Sequence, residues 1–200
     1  MTQTLSLTEN IPLKLQISPA IDMTDEQFSF FCQQNKTYRI ERTPTGEITI
    51  MSPTGSETGN RNFDLIVQLG IWTRQNRTGI GFDSSAGFTL ANGAIKSSDA
   101  AWVKLKKWNA LTPEQQQKFA PICPDFVVEL ASPRDHLQSL KDKLQKYIDN
   151  GIFLGWLINR KNRHVYIYRA NREVEYLDNP ATLSGEFILP GFVLDLASIW

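Results

Sequence analysis

Apolar positions along the chain fall into two kinds of run. PDFVVELAS, from Pro124, and IFLGWLINR, from Ile152, are almost wholly apolar. Short, near-continuous runs of this kind predict strands buried on both faces. Between them, RDHLQSLKDKLQKYIDNG spaces its apolar residues helically. Leu137, Leu140, Leu144, Tyr147 and Ile148 share one stripe, and Gly151 ends it. Strand, helix and strand in this order predict a parallel crossover.

The flanking segments predict a mixed order. MTDEQFSFFCQQN, from Met23, reads as a helix capped by Thr24, with Phe28, Phe31 and Cys32 on one face. YRIER and GEITIMSP read as strands joined through Thr43-Pro44-Thr45-Gly46. SETGNRNFDLIVQLGIWTRQN reads as a long helix whose stripe is Phe63, Ile66, Val67, Leu69 and Trp72, weakened by Gly70. GIGFDSS and GFTLANG suggest strands around a turn, and IKSSDAAWVKL a single further strand. LTPEQQQKF is a short helix with Thr112 as N-cap and Pro113 first. HVYIYRA is a strand after a polar turn at Lys161-Asn162, and the tail from Glu173 carries short strands and turns. The expected architecture is α/β, with a central mixed β-sheet flanked by α-helices. Residues 1–19 are expected to form a partly irregular arm, and residues 20–200 a single domain.

Charge narrows the function classes. The chain has 200 residues, with Lys+Arg and Asp+Glu balanced at 21 each. A neutral chain is no generic polyanion binder, so any nucleic-acid contact needs cations gathered locally. Lys104, Lys106 and Lys107, and Arg160, Lys161 and Arg163, are local candidates. Cys32 and Cys123 form no CxxC pair, which argues against structural zinc or a disulfide scaffold and suits a reducing cytoplasm. The N-terminus lacks a signal-peptide pattern, and no apolar run approaches the roughly 20 residues of a membrane span. A cytoplasmic protein without membrane contact is expected.

Several catalytic motifs are missing: a GxxxxGK[ST] loop, GxGxxG and GxSxG. His136 and His164 are the two histidines, too few for a cluster or triad, and each is expected to be structural or exposed. Carboxylates on strands remain. Glu129 sits inside the apolar run, where a carboxylate is costly unless something pairs with it or binds it. Strand alternation places Val127, Glu129 and Ala131 on one face, and Asp99, Ala101 and Val103 on one face of the earlier strand. Two carboxylates facing one cleft suit Mg²⁺. On the following helix Lys146 points away from the stripe, while Lys141 and Lys143 flank it on either side. Helix geometry leaves both open as the site's cation.

Asp99, then PDFVVELASP, then KLQKY with NG and the GWLI strand, resembles the Uma family of bacterial restriction-endonuclease-like proteins, within the PD-(D/E)XK nuclease superfamily. YRIERTPTGEITIMSPTG, the ETGNRN helix start and LSGEFILPGFVLDL match as well. The resemblance implies a restriction-endonuclease-like core with a divalent-metal site. It gives Asp99 and Glu129 the places of the two acids. The lysine two positions after the second acid is replaced by Ala131, and the resemblance moves that role to Lys143. It also implies Mg²⁺ or Mn²⁺ on Asp99 and Glu129, with the Val128 or Leu130 carbonyl as a further ligand. Glu41, Glu57 and Arg61 flank the site in this reading. Ser98 departs from the proline of the PD pair, and Asn159-Arg160 from the usual Asp-Pro.

The implied activity is metal-dependent endonucleolytic hydrolysis of phosphodiester bonds in DNA. The competing expectation is a non-catalytic nucleic-acid- or protein-binding scaffold that retains the fold. Self-association as a homodimer through Phe187, Phe192 and Trp200 is compatible with either.

Overall fold

The computed structural model describes residues 12–133 and 135–200. Of the expected N-terminal arm, residues 1–11 lie outside the described residues. The rest of the arm contributes a strand, β1 (Leu13–Gln16), which pairs antiparallel with Glu47–Met51. Thr24 caps α1 (Asp25–Gln34): its hydroxyl accepts the Gln27 N–H, and the Gln27 side chain accepts the Thr24 N–H. The expected hairpin is β2 (Arg39–Arg42) and β3 (Glu47–Met51), with Gly46 at φ 83° in the turn. The long helix is α2 (Ser56–Asn76). Then come β4 (Gly79–Asp83), β5 (Phe88–Thr89), β6 (Ile95–Lys96) and β7 (Ala100–Lys104). Two short helices follow, α3 (Leu105–Trp108) and α4 (Pro113–Gln117), the second capped by Thr112 as its sequence predicts. The crossover is β8 (Phe126–Ala131), α5 (Leu137–Asp149) and β9 (Leu154–Asn159). The tail holds β10 (His164–Arg169), β11 (Glu175–Asp178), β12 (Thr182–Ser184) and β13 (Val193–Asp195).

The principal sheet has the order β11-β10-β9-β8-β7-β4. It is mixed: β8 and β9 run parallel and their neighbours are antiparallel. Every residue of β8 and β9 is buried, which explains their apolar runs. Alternation sends Phe126, Val128 and Leu130 to the face covered by α2 and the C-terminal segment, where Trp102, Trp156 and Phe192 pack. Val127 and Ala131 turn to the opposite face with Ala101 and Val103, against Leu144 and Tyr147 of α5. Asp99 and Glu129 belong by alternation to this α5 side. A second sheet, β1-β3-β2-β6-β5, is antiparallel throughout. Its own small core joins Ile40, Ile48 and Ile95 to Phe28 of α1.

Three expectations change. IKSSDAAWVKL is two strands, not one: β6 belongs to the small sheet and β7 to the large one. Ser97, Ser98 and Asp99 bridge the sheets, and all three are buried. The α2 stripe is also rotated. Leu65 and Leu69 are buried, whereas Phe63 is 65% and Val67 38% exposed. The tail decides this, since Gln68 accepts from the Asp195 N–H and donates to the Asp195 carbonyl. Of the tail aromatics, Phe192 is buried, Trp200 packs against the same core, and Phe187 stays exposed. Among the described residues no helix is long and apolar enough to cross a membrane.

Candidate active site

The β7–β8 ladder sets Ala100 opposite Val128. One residue further, Asp99 reaches the neighbourhood of Glu129. The Asp99 N–H donates to the Val128 carbonyl (3.0 Å), and its Oδ2 accepts the Leu130 N–H (2.8 Å). Asp99 is thus fixed to β8 by main-chain bonds on two sides. Its Oδ1 accepts a hydrogen bond from Arg39 Nη1 at 3.0 Å.

Glu129 is 1% exposed. Its partner comes from α5: Lys143 Nζ lies 2.9 Å from Glu129 Oε1. The contact is one of charge, because no donor among the described residues is aligned on Oε1 as a hydrogen bond. The same ammonium lies 2.9 Å from Glu41 Oε1 and donates to the Ser97 carbonyl at 2.6 Å. Glu41 is held a second time, by Lys96 Nζ on Oε2 at 2.9 Å. The sheet-to-sheet bridge at Ser97 therefore supplies the carbonyl that helps seat Lys143.

Burial and charge pull these groups in different directions. Desolvation pushes the Glu129 carboxyl up to about 7, opposed by Lys143 and reinforced by the nearby Asp99 carboxylate. Glu41 is equally buried, yet Lys143, Lys96 and Arg39 outweigh the desolvation and hold it well below the usual carboxylate range. Burial works to discharge Lys143, but Glu129 and Glu41 more than offset it and keep the ammonium charged.

The cluster lies in a cleft of about 1260 Å³ that both sheets and α5 line. Inside, Glu41, Asp99 and Glu129 face Arg39, Lys96 and Lys143, so the charges balance. The rim adds exposed Lys14, Lys36, Lys118 and Lys146 against Glu47 and Asp135. This is the local gathering of cations that a neutral chain needs for an anionic ligand. It is not where the sequence suggested. Lys104, Lys106, Lys107, Arg160, Lys161 and Arg163 do not line the cleft. Lys107 donates to the Cys123 carbonyl, and Arg160 pairs with Glu57.

The structure brings Asp99, Glu129, Lys143 and Glu41 together and leaves Glu57 and Arg61 outside. Glu57 meets Arg160 at 2.6 Å, and Arg61 donates to the Ser198 carbonyl at 2.9 Å. Of the two helix lysines, Lys143 is the one that lies beside the acids. Lys141 Nζ stands 4.0 Å from the centroid of the Tyr166 ring, on the other flank of α5. His136 precedes α5 without a side-chain cap, and His164 lies 3.4 Å from Asp178 on the β10–β11 ladder. Sequence reasoning missed Arg39 and Lys96. The signal was present: Arg39 and Glu41 flank Ile40 on one face of β2, and Lys96 interrupts an otherwise small and apolar stretch.

The donor set can be tested against a divalent cation. Among the described residues no group of three or more His, Cys, Asp or Glu is placed to hold a metal ion together, and Glu41 is taken by two lysines. Asp99 and Glu129 are thus the side-chain ligands on offer. Two carboxylates completed by water and phosphate are the usual Mg²⁺ arrangement. The buried Glu129 Oε1, with no aligned donor, is an oxygen suited to a cation. The residues fit such an ion, on the condition that Arg39 leaves Asp99 Oδ1. Of the two carbonyls expected to assist, that of Val128 already accepts the Asp99 N–H.

A mixed sheet with one parallel crossover, two acids on adjoining strands and a lysine beneath them define a restriction-endonuclease-like fold. A solved structure described as "a putative nuclease belonging to DUF820 from Anabaena variabilis ATCC 29413" matches with a TM-score of 0.71. The match covers 89% of this chain and 97% of that chain at 18% identity, a likeness of fold. The profile of the Uma2 family, described as "Putative restriction endonuclease", matches residues 25–197, and the chain belongs to that family. A search of curated proteins gives no match.

Proposed function

We propose that the protein is a metal-dependent endonuclease that hydrolyses phosphodiester bonds in DNA. The observation that carries this reading is the position of Lys143. Its amine reaches to 2.9 Å from Glu129 from a helix, although the nuclease pattern's own lysine position is Ala131. Asp99 and Glu129 would hold Mg²⁺ or Mn²⁺. Such an ion supplies a Lewis acid for a phosphoryl oxygen and acidifies a water.

Lys143 is kept charged by two carboxylates. It is therefore a donor: it orients the attacking water and faces the negative charge that develops on phosphorus oxygens. It is a poor acceptor for that water's proton. The rim lysines steer the polyanion into the cleft.

The second reading is a non-catalytic nucleic-acid- or protein-binding scaffold. What favours it is the complete pairing of three acids by three cations. A homodimer also stays a proposal. Its support moves from the tail to α2, where Phe63, Val67 and Ile71 stand exposed at four-residue spacing. Mass in solution tests it. For the nuclease, closed-circular plasmid and single-stranded circles are incubated with Mg²⁺, with Mn²⁺ and with chelator. Nicking that the chelator abolishes supports the enzyme. Inertness under all conditions, without metal binding, supports the scaffold.

A further inference from the structure

Arg39 is the least tethered cation of the site. Lys96 and Lys143 are nearly enclosed, with side chains 9% and 12% exposed. The Arg39 side chain is 31% exposed and lines the cleft. A guanidinium carries five N–H donors. Among the described residues Arg39 uses one hydrogen bond, from Nη1 to Asp99 Oδ1. Arg42, on the same strand, donates to the Met23 carbonyl and Asp25 and reaches Gly93. Most of the Arg39 fork is therefore unspent, and it stands beside an open cleft.

Asp99 is built to exchange that partner. Its Oδ2 is tied to the Leu130 N–H, which holds the carboxylate in place whatever happens at Oδ1. Arg39 is mounted on β2, an inner strand of the small sheet, opposite Met51. Its head can swing about side-chain torsions while its Cα stays still. Charge supplies the drive. Three acids already balance three cations, so a divalent ion adds two uncompensated charges beside Arg39. The planar fork of an arginine matches phosphate oxygens in pairs.

We propose that Arg39 is an exchangeable placeholder: it neutralises Asp99 in the metal-free protein, yields Oδ1 when a divalent cation binds, and turns its guanidinium onto the phosphodiester of the substrate. The proposal rests on the nuclease reading and deepens it. It makes Arg39 a phosphate-binding residue that weakens metal binding in the free protein and couples metal binding to phosphate binding. Such coupling is reciprocal.

The test is calorimetric titration of Mn²⁺ into the wild type, Arg39→Gln and Arg39→Lys, each with and without dimethyl phosphate. This monoanionic diester mimics the substrate linkage. Thermal melts establish that each variant is folded. The expected result is that Arg39→Gln binds Mn²⁺ alone about tenfold more tightly than the wild type. Dimethyl phosphate tightens Mn²⁺ binding by the wild type and leaves Arg39→Gln nearly unchanged. Arg39→Lys keeps the charge and loses the fork, so it retains wild-type affinity for Mn²⁺ alone with weaker phosphate coupling. If Arg39→Gln does not fold, full coupling in Arg39→Lys overturns the proposal. Equal or weaker Mn²⁺ binding by a folded Arg39→Gln overturns it while sparing the nuclease reading. No Mn²⁺ binding by any of the proteins overturns both.

Discussion

Replacing Lys143 by Met tests how the buried acids are held. The substitution keeps length and apolar stem but removes the ammonium that lies 2.9 Å from both Glu41 and Glu129. At an effective dielectric of about 20, a unit-charge contact at that distance is worth roughly 6 kcal/mol before desolvation is subtracted. Breaking one side of a buried pair costs about 3–5 kcal/mol net. Glu41 keeps Lys96, so Glu129 bears most of the loss. A stranded carboxylate escapes by taking a proton, and each unit of pKa is about 1.4 kcal/mol. Glu129 already stands at about 7 with the lysine present, and it rises further without it. The deficit of Lys143→Met is therefore about 3–5 kcal/mol near pH 8 and shrinks by about 1.4 kcal/mol, to roughly 2–4 kcal/mol, near pH 5, where Glu129 is protonated in both proteins. Urea unfolding followed by tryptophan fluorescence, without metal, reads both values. A deficit under about 1 kcal/mol near pH 8, or one equal at both pH values, refutes the reasoning.

Other outcomes follow from the same geometry. Glu129 is raised from 4.5 to about 7, so between these values the folded state holds more protons and stability falls as pH rises. Glu129→Gln removes this fall of about 3 kcal/mol, read from unfolding curves across that window. Glu41 is depressed and acts oppositely: its stabilisation is present above the ordinary carboxylate range and is lost as pH falls below it, so the acid limb persists in Glu129→Gln. Lys141→Ala loses only a stack on Tyr166, costing about 0.5–1 kcal/mol, and leaves DNA cleavage unchanged; a tenfold loss of cleavage contradicts the choice of Lys143. A Cβ at Gly79 would stand 2.2 Å from the Trp102 ring and 2.4 Å from the Val103 carbonyl. Gly79→Ala should therefore cost roughly 1–3 kcal/mol in thermal or urea unfolding, and a neutral result would contradict the tight β4–β7 approach.

The crossover was legible because β8 and β9 are buried on both faces, and burial writes itself as an apolar run. Thr24 and Thr112 were legible because a cap is a local hydrogen-bond requirement. The break between β6 and β7 was not. Alternation reports which face a residue takes and carries no record of which sheet its strand joins. The rotation of α2 was hidden for a related reason. Its apolar residues surround more than one face, and Gln68 bonding to the distant Asp195 backbone fixes which one is covered. In the site, Asp99 and Glu129 stood out as acids in apolar strands. Lys141 and Lys143 flank the helix stripe symmetrically, so sequence geometry could not separate them; the family resemblance did, and tertiary contacts agree. Arg39 shares a face of β2 with Glu41, but it lies 60 residues from Asp99 in sequence, and the strand pattern does not say which acid it meets.

The central claim is that Asp99, Glu129 and Lys143 act together on one phosphodiester. The measurement that tests it most directly is the single-turnover rate of plasmid nicking in Mn²⁺ for the wild type, Glu129→Gln, Lys143→Met and the double variant. The account predicts metal-dependent nicking by the wild type. Each single variant should fall to the chelated background, and the double variant should be no slower, because groups that act as a unit do not add. A wild type that never cuts, or single variants that cut at its rate, would contradict the account.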